Sequence, residues 1–151
     1  MAEEEARIEK LGRWNREFID LVPFNRALGI ESLAFAAGRA SLRLPYRDDL
    51  ADPLGGGGMH GGALTALLDA ACGAAVFMKL PRPVSIATLE LRLDHLERPL
   101  AGRDVVCEAT CTSITRHVAF VRAEAWHEAG ALIATASGSF MLGTPLSRGP
   151  R

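Results

Sequence analysis

Two stretches of the chain have the hydrophobic pattern of helices. Between residues 3 and 21, apolar side chains recur every three or four positions with charged residues between them, which predicts an amphipathic helix that Pro23 ends. Its apolar positions are Ile8, Leu11, Trp14 or Asn15, Phe18 and Leu21. The second stretch, about residues 62–79, is apolar on nearly every side and stops before Pro81. A helix of this kind has to be buried on nearly all sides.

The rest of the chain alternates apolar and polar positions, which is the period of β-strands. Leu89, Leu91 and Leu93, for example, stand between charged neighbours. The alternation predicts two strands between residues 29 and 46, one around Leu89 to Leu93, and three more at 105–114, 118–126 and 132–142. Short turns join most of these strands, and such connections favour an antiparallel sheet.

Together these elements predict an α+β fold. A curved six-stranded antiparallel sheet would wrap around the long central helix, with the amphipathic helix added at the N-terminus. We divide the chain into an N-terminal helix (residues 1–22), the main domain (23–143) and a flexible tail rich in Pro, Gly and Arg (144–151). Because one chain cannot cover both flanks of the central helix, we expect a second copy beside it.

Composition and charge narrow the possible functions. The 151 residues are 48% hydrophobic, enough for a real core, and the net charge is −1, which gives no basic patch for nucleic acid. The odd count of three cysteines without a CxxC motif indicates a reducing compartment, and no leader opens the chain, so we expect a cytoplasmic protein. A charge near the middle of the apolar helix, Asp69, argues against membrane insertion.

Asp69 is also the most informative candidate for chemistry. No basic residue lies near it on the helix, where its neighbours are Thr65, Ala66, Cys72 and Gly73. Burying an unpaired carboxylate costs several kcal/mol, so a purely structural role would be served better by leucine. One interpretation is a general base or nucleophile in an apolar cleft. The alternative is a helix residue that faces solvent or a loop arginine.

The residues His60-Gly61-Gly62 stand at the predicted start of this helix. The first N–H groups of a helix have no partner within it and carry the positive end of its dipole. Glycine lets a ligand approach them, so they can polarise a carbonyl or hold an oxyanion. The alternative is that the two glycines only make the turn into the helix.

The spacing between these two features constrains how a site is built. Gly61 and Asp69 are eight residues apart, about 12 Å along one helix, so one chain does not easily supply both to one reacting group. Two antiparallel central helices related by a two-fold axis would place Asp69 of one chain opposite Gly61 of the other. We therefore predict two equivalent sites at a dimer interface.

The same residues resemble a known family. The segment 58–76, with His60-Gly61-Gly62, an aspartate nine residues after the histidine, and small residues beyond it, is similar to the signature of hotdog-fold acyl-CoA thioesterases. Within this family it resembles the phenylacetate-pathway (PaaI-like) type and the thioesterase-superfamily-member-2 type. Residues 88–99 resemble the strand that follows the helix in this family, and the resemblance spans roughly residues 23–142.

The resemblance implies a role for each residue at the catalytic centre. Asp69 corresponds to the carboxylate that activates water or attacks the thioester, and the N–H of Gly61 polarises the thioester carbonyl. Thr88 falls where relatives have a Ser or Thr that helps to hold the water. His60 lies beside the carbonyl and orients the loop.

Substrate-binding positions follow with less detail. Gly62 belongs to the helix start, and Leu54 occupies a loop position where the family often has an asparagine. Asp52 is the nearest polar side chain to that position. Arg82 and Arg116 lie in or near predicted loops and are candidates for the phosphates of coenzyme A.

The function implied is hydrolysis of an acyl-CoA thioester to a free acid and coenzyme A. No cofactor or metal is required, coenzyme A being part of the substrate; His95, His117 and His127 lack ligand spacing. The resemblance implies a homodimer or a dimer of dimers. The acyl chain would lie between the two central helices, and the depth of its pocket depends on Phe77, Met78 and the first helix. The lining residues expected are Leu64, Leu67, Leu68 or Val76.

Two other functions stay open at this point. One is a hotdog module that binds or senses acyl-CoA without catalysis, which the leucine at the usual asparagine position keeps open. The other is an enoyl-CoA hydratase or dehydratase, although those relatives use a histidine with a partner carboxylate at other spacings.

Overall fold

The computed structural model describes residues 1–128 and 130–145. Within these residues the elements are α1 (Ala2–Leu21), α2 (Pro23–Leu28), β1 (Glu31–Ala36), β2 (Arg39–Leu44), a short 3₁₀ turn (Asp48–Leu50), α3 (Gly61–Lys79), β3 (Val84–His95), β4 (Val105–Ile114), β5 (Val118–Trp126) and β6 (Leu132–Pro145). All six strands form one sheet in the order β1-β2-β4-β5-β6-β3, and every neighbouring pair is antiparallel.

This architecture confirms the predicted α+β class and the hotdog fold. The sheet wraps around α3, and α1 packs on the helix from the other side. The last strand extends further than the alternation indicated, because Pro145 pairs with Val84 on the neighbouring strand. Thr144 and Pro145 therefore end β6 rather than belonging to a tail. Residues 146–151, the rest of the predicted flexible tail, lie outside the described residues.

A second short helix, α2, was not predicted. Pro23 ends α1 as expected, but it also occupies the first turn of α2, where its missing N–H costs nothing. Gly29 ends α2 with φ +76°, a left-handed conformation that glycine adopts without strain. Proline at the start and glycine just past the end are the usual signals of a helix, so α2 could have been predicted from the sequence.

Small side chains on the inner face of the sheet make room for α3. The leucines of the helix that point into the core, Leu64, Leu67 and Leu68, are fully buried. The buried strand positions include many alanines: Ala40, Ala109, Ala119, Ala123, Ala125, Ala134 and Ala136. Because alanine side chains are small, the sheet backbone can approach the helix and the leucines can fill the space between them.

The C-terminal half of α3 is covered by α1. Nδ2 of Asn15 donates a hydrogen bond to the carbonyl oxygen of Ala74 at 2.9 Å, and Trp14 and Phe18 pack against Phe77. In the N-terminal half, a stripe of positions at helical spacing stays half-buried or exposed: Gly62, Thr65, Ala66 and Asp69. This chain therefore covers one part of the helix itself and leaves an open stripe on the other.

The helix α3 is long and apolar enough to cross a membrane by length and composition alone. However, 67% of its apolar stretch is buried inside the fold. The sheet and α1 supply the apolar surroundings that such a helix needs, so its composition is explained by its position in the core.

Replacing Leu68 with alanine should test this core directly. Leu68 is 0% exposed, and Leu68→Ala should lower the free energy of unfolding by about 2–5 kcal/mol through lost burial and a cavity. Leu54→Ala is the matched control, since Leu54 is 95% exposed and its truncation should change stability by less than about 0.5 kcal/mol. Urea unfolding monitored by circular dichroism measures both, and equal effects would contradict the packing described.

The three cysteines should be unreactive in the folded protein. Burial raises the pKa of Cys72 and Cys111, and it raises the pKa of Cys107 to about 12. Because the thiolate is the reactive form, a thiol reagent at pH 8 should modify none of them quickly until denaturant is added. The thiols of the unfolded chain ionise near pH 8.5, whereas burial keeps the thiols of the folded protein protonated at that pH. The free energy of unfolding should therefore fall as the pH rises from about 8.5 towards 12. Fast labelling of the folded protein would contradict this.

Candidate active site

Asp69 and Thr88 form a hydrogen-bonded pair between the central helix and the sheet. Oγ1 of Thr88 donates to Oδ1 of Asp69 at 2.8 Å. The strand register shifts between Thr88 and Glu90, and such irregularities redirect side chains next to functional sites. Asp69 is half-buried, and its Oδ2 accepts no hydrogen bond from the described residues. The sequence-predicted pair is therefore brought together, with one carboxylate oxygen left for a ligand.

This pair lies on the wall of an apolar cavity of about 270 Å³. The cavity is enclosed by α1, α2, α3, β3 and β6. Its other lining residues are Asn15, Phe18, Ile19, Val22, Phe24, Asn25, Ala66, Ala70, Gly73, Ala74, Phe77, Ile86 and Phe140. A carboxylate on the wall of an apolar cavity is a favourable arrangement for acting on a hydrophobic substrate.

The lining residues predicted for the acyl pocket, which was expected between two central helices, were partly wrong. Leu64, Leu67, Leu68 and Val76 are all fully buried in the core and do not line it. A helix that is apolar on every side gives no sign of which side faces the sheet. The leucines take the sheet side, whereas the small residues Ala70, Gly73 and Ala74 line the cavity and leave room for it. Phe77 lines the cavity as expected, and Met78 does not.

The start of α3 presents one free backbone donor. His60 is the N-cap, and its Nδ1 accepts a hydrogen bond from the N–H of Gly62 at 3.0 Å. The N–H groups of Ala63 and Leu64 both donate to the carbonyl oxygen of His60. Of the first four N–H groups of the helix, that of Gly61 alone has no acceptor among the described residues. This donor, at the positive end of the helix dipole, is available to a carbonyl oxygen.

The preceding loop is held by Asp52. Its Oδ1 accepts from the N–H of Leu54 at 3.0 Å, and its carbonyl oxygen accepts from Gly55 and Gly57. Leu54 lies at the loop tip with its side chain in solvent. A Cβ on Gly58 would overlap the carbonyl oxygen of Pro99, so glycine is required where this loop packs on the 96–104 loop. These contacts fix the position of the helix start.

The remaining histidines and the arginines do not line the cavity that contains Asp69. His127, which is buried, accepts from the N–H of Leu100 at 2.9 Å through Nε2 and holds the 96–104 loop. Arg116 is exposed in the β4–β5 turn, and Arg82 lines a separate groove beside α1. Among the described residues, no group of three His, Cys, Asp or Glu side chains is placed to hold a metal ion.

The structure thus divides the predicted site into two parts within one chain. Asp69 and Thr88 lie at the cavity, whereas His60, Gly61 and Asp52 lie around the helix start. A separate cavity of about 200 Å³ at the helix start is lined by Gly61 and Asp52 but not by Asp69. Eight residues, about 12 Å, separate Gly61 from Asp69 along α3. Sequence reasoning expected the first helix to affect the depth of the pocket, but it identified neither Asn15 of α1 nor Phe24 of α2. Both residues reach the cavity through packing between segments that are distant in sequence.

Comparison with known proteins agrees with this architecture. A family model described as the thioesterase superfamily matches residues 56–134. A protein named as a putative esterase from Halobacterium salinarum is 36% identical over 90 residues, which are 58% of this chain and 58% of that protein. The chain thus spans somewhat more than half the length of that relative.

Two further relatives extend over most of the chain. The medium/long-chain acyl-CoA thioesterase YigI of Salmonella typhimurium is 29% identical over 139 residues, covering 83% of this chain and 89% of YigI. A mutant structure of the phenylacetic acid degradation protein PaaI from Thermus thermophilus is 32% identical with a TM-score of 0.70, covering 79% of this chain and 97% of PaaI. The chain belongs to the thioesterase superfamily, as a PaaI-like hotdog enzyme that hydrolyses thioesters.

Proposed function

We propose that this enzyme hydrolyses acyl-CoA thioesters with a water molecule activated by Asp69. The observation that carries this proposal is the Asp69–Thr88 hydrogen bond on the wall of an apolar cavity. The bond to Thr88 orients the carboxylate through Oδ1, so Oδ2 is free to accept the proton of a water. Relatives named as acyl-CoA thioesterases support coenzyme A as the thiol part of the substrate.

The second element of the mechanism is the free N–H of Gly61. As water attacks the thioester carbon, negative charge develops on the carbonyl oxygen, and a fixed donor at a helix N-terminus stabilises it. Collapse of the tetrahedral intermediate then breaks the C–S bond, and the sulfur leaves as coenzyme A thiolate, which takes up a proton. The products are a free acid and coenzyme A.

We further propose that each site is shared between two copies of the chain. The open stripe on α3, which includes Thr65 and Asp69, consists of small or polar residues that let a second α3 approach. Strand β3 is an edge of the sheet, is twelve residues long and carries an exposed Leu89 (52%), features that invite pairing with another strand. An antiparallel arrangement would place Gly61 of one copy opposite Asp69 of the other.

The cellular location is also a proposal. Three unpaired cysteines, all buried, fit a reducing compartment such as the cytoplasm.

Replacing the carboxylate of Asp69 tests its role as the base. Asp69→Asn keeps the shape and the acceptor for Thr88 but removes the base, so kcat should fall on the order of 10²–10⁴-fold with little change in KM. The measurement is coenzyme A release, followed with a thiol reagent, over short, long and aromatic acyl-CoAs. A thermal melt controls for folding.

The results of this assay separate the candidate functions. Turnover that survives Asp69→Asn would remove Asp69 from the mechanism. A wild-type protein that releases no coenzyme A from any thioester would overturn the proposed function. Tight acyl-CoA binding would then indicate a binding module, whereas loss of enoyl-CoA absorbance would indicate a hydratase.

A proline at position 61 tests the role of the Gly61 N–H. Proline is tolerated in the first turn of a helix, and the extended backbone of His60 (φ −62°, ψ 141°) suits a following proline. Gly61→Pro therefore removes the donor and leaves the helix start intact, and kcat should fall on the order of 10²–10³-fold. Gly61→Ala is the matched control: it keeps the N–H, and its Cβ would lie 3.5 Å from His95, an ordinary contact. Equal losses in both variants would rule out the donor role.

Mixing the two inactive variants tests whether the site is shared. In a dimer of Asp69→Asn with Gly61→Pro, one site carries both changes and the other carries neither. Co-refolding should therefore restore activity well above that of either variant alone. Mixed dimers without any recovery would place both groups of each site in the same chain.

A further inference from the structure

Three aromatic rings pack together at the Phe77 end of the cavity. Trp14 stacks on Phe18 with ring centroids 5.5 Å apart, and both rings meet the edge of Phe77 at 5.0 and 5.6 Å. We call Trp14, Phe18 and Phe77 the aromatic cluster. Phe18 and Phe77 line the cavity that also contains Asp69. Aromatic contacts of this geometry stabilise each other beyond simple burial, so the cluster is a firm wall.

A second cavity begins on the other side of this wall. It is a groove of about 350 Å³ between α1 and the loop after α3, and Trp14 is the member of the aromatic cluster that lines it. Its other lining residues are Glu3, Ala6, Arg7, Lys10, Leu11, Pro81, Arg82 and Pro83. The two cavities therefore follow one another along α1, with the aromatic cluster between them.

The distance from Asp69 to Phe77 limits the length of the acyl chain that fits in the cavity. Asp69 and Phe77 are eight residues apart on α3, about 12 Å along its axis. An extended carbon chain advances roughly 1.2 Å per bond, a third of the span of an extended residue, so about ten carbons fit. The cavity volume of about 270 Å³ is at the lower end of the range for small-molecule sites, which suits a chain of moderate length.

We infer that the aromatic cluster is the end wall of the acyl site and restricts the enzyme to medium-chain acyl groups of about eight to ten carbons. This inference rests on the proposed hydrolysis of acyl-CoA at Asp69. A longer chain would have to displace packed rings, whereas a shorter one would leave apolar wall uncovered. Removing a ring should join the cavity to the groove, which already exists to receive the extra carbons.

The test is a chain-length profile of kcat/KM for the wild type and for Phe18→Ala. Saturated acyl-CoAs from butanoyl to palmitoyl are compared by coenzyme A release. The wild type should be best with octanoyl- or decanoyl-CoA. In Phe18→Ala the optimum should move to longer chains, with the ratio of palmitoyl to octanoyl activity rising on the order of tenfold or more.

A matched control separates a wall from general packing. Phe35 is also a half-buried ring that packs on α1, with its Cβ 3.6 Å from where a Cβ on Gly12 would lie, but it lines neither cavity. Phe35→Ala should keep the wild-type profile. If Phe18→Ala lowers activity equally at every chain length, or if both variants shift alike, the inference is wrong.

Two further measurements test the end wall if Phe18→Ala does not fold or if the wild type does not hydrolyse acyl-CoA. Should Phe18→Ala not fold, Phe18→Trp adds bulk at the wall and should shorten the optimum; an unchanged optimum would contradict the inference. Acyl-CoA affinities measured in Asp69→Asn, with and without Phe18→Ala, test the wall without turnover. If Phe18→Ala shifts the optimal chain length for binding but the wild type hydrolyses no acyl-CoA, the proposed function alone is overturned. If the wild type is active but Phe18→Ala does not shift the optimum, the end wall alone is overturned.

Discussion

The burial of α3 is the constraint on which the rest of the structure depends. A 19-residue helix with apolar side chains on nearly every side has to be covered all round, and one curved sheet covers only the side that its leucines face. The helix α1 covers the C-terminal half of the other side. The open stripe that includes Thr65 and Asp69 is what this chain leaves uncovered. The carboxylate of Asp69 thus lies at the boundary between the buried core and the uncovered stripe of α3.

The way α1 packs on α3 turns this cover into a cavity. The amide of Asn15 bonds to the carbonyl oxygen of Ala74, which fixes α1 at one height along α3. The oxygen of that buried amide has no partner among the described residues, a cost of about 1–3 kcal/mol. The contact therefore fixes the position of α1 on α3 more than it adds to the stability of the fold. It fixes Trp14 and Phe18 against Phe77, so the end of the cavity is defined by side chains rather than by the length of the helix.

Much of the fold was predictable because it depends on local periodicity. The alternation of apolar and polar positions predicted the strands, and the stretch that is apolar on every side predicted the buried central helix. Asp69 and Thr88 were both singled out through the resemblance to the family, but their 2.8 Å hydrogen bond to each other was not predicted. The lining of the cavity was not predictable, since hydrophobicity does not distinguish the sides of α3. Side-chain size does: leucines face the sheet, and residues such as Gly73 and Ala74 face the cavity.

The loop before α3 explains why so few groups are left for chemistry. Asp52 uses its carboxylate to hold the N–H of Leu54, and Leu54 offers only a solvent-exposed apolar side chain. His60 and Gly62 bond to each other, which leaves the Gly61 N–H as the free donor of the first turn. That donor and Asp69 are about 12 Å apart on one rigid helix, too far to act on one carbonyl group. If both act in the same reaction, catalysis by this fold requires two helices side by side, and assembly of the dimer becomes part of the mechanism.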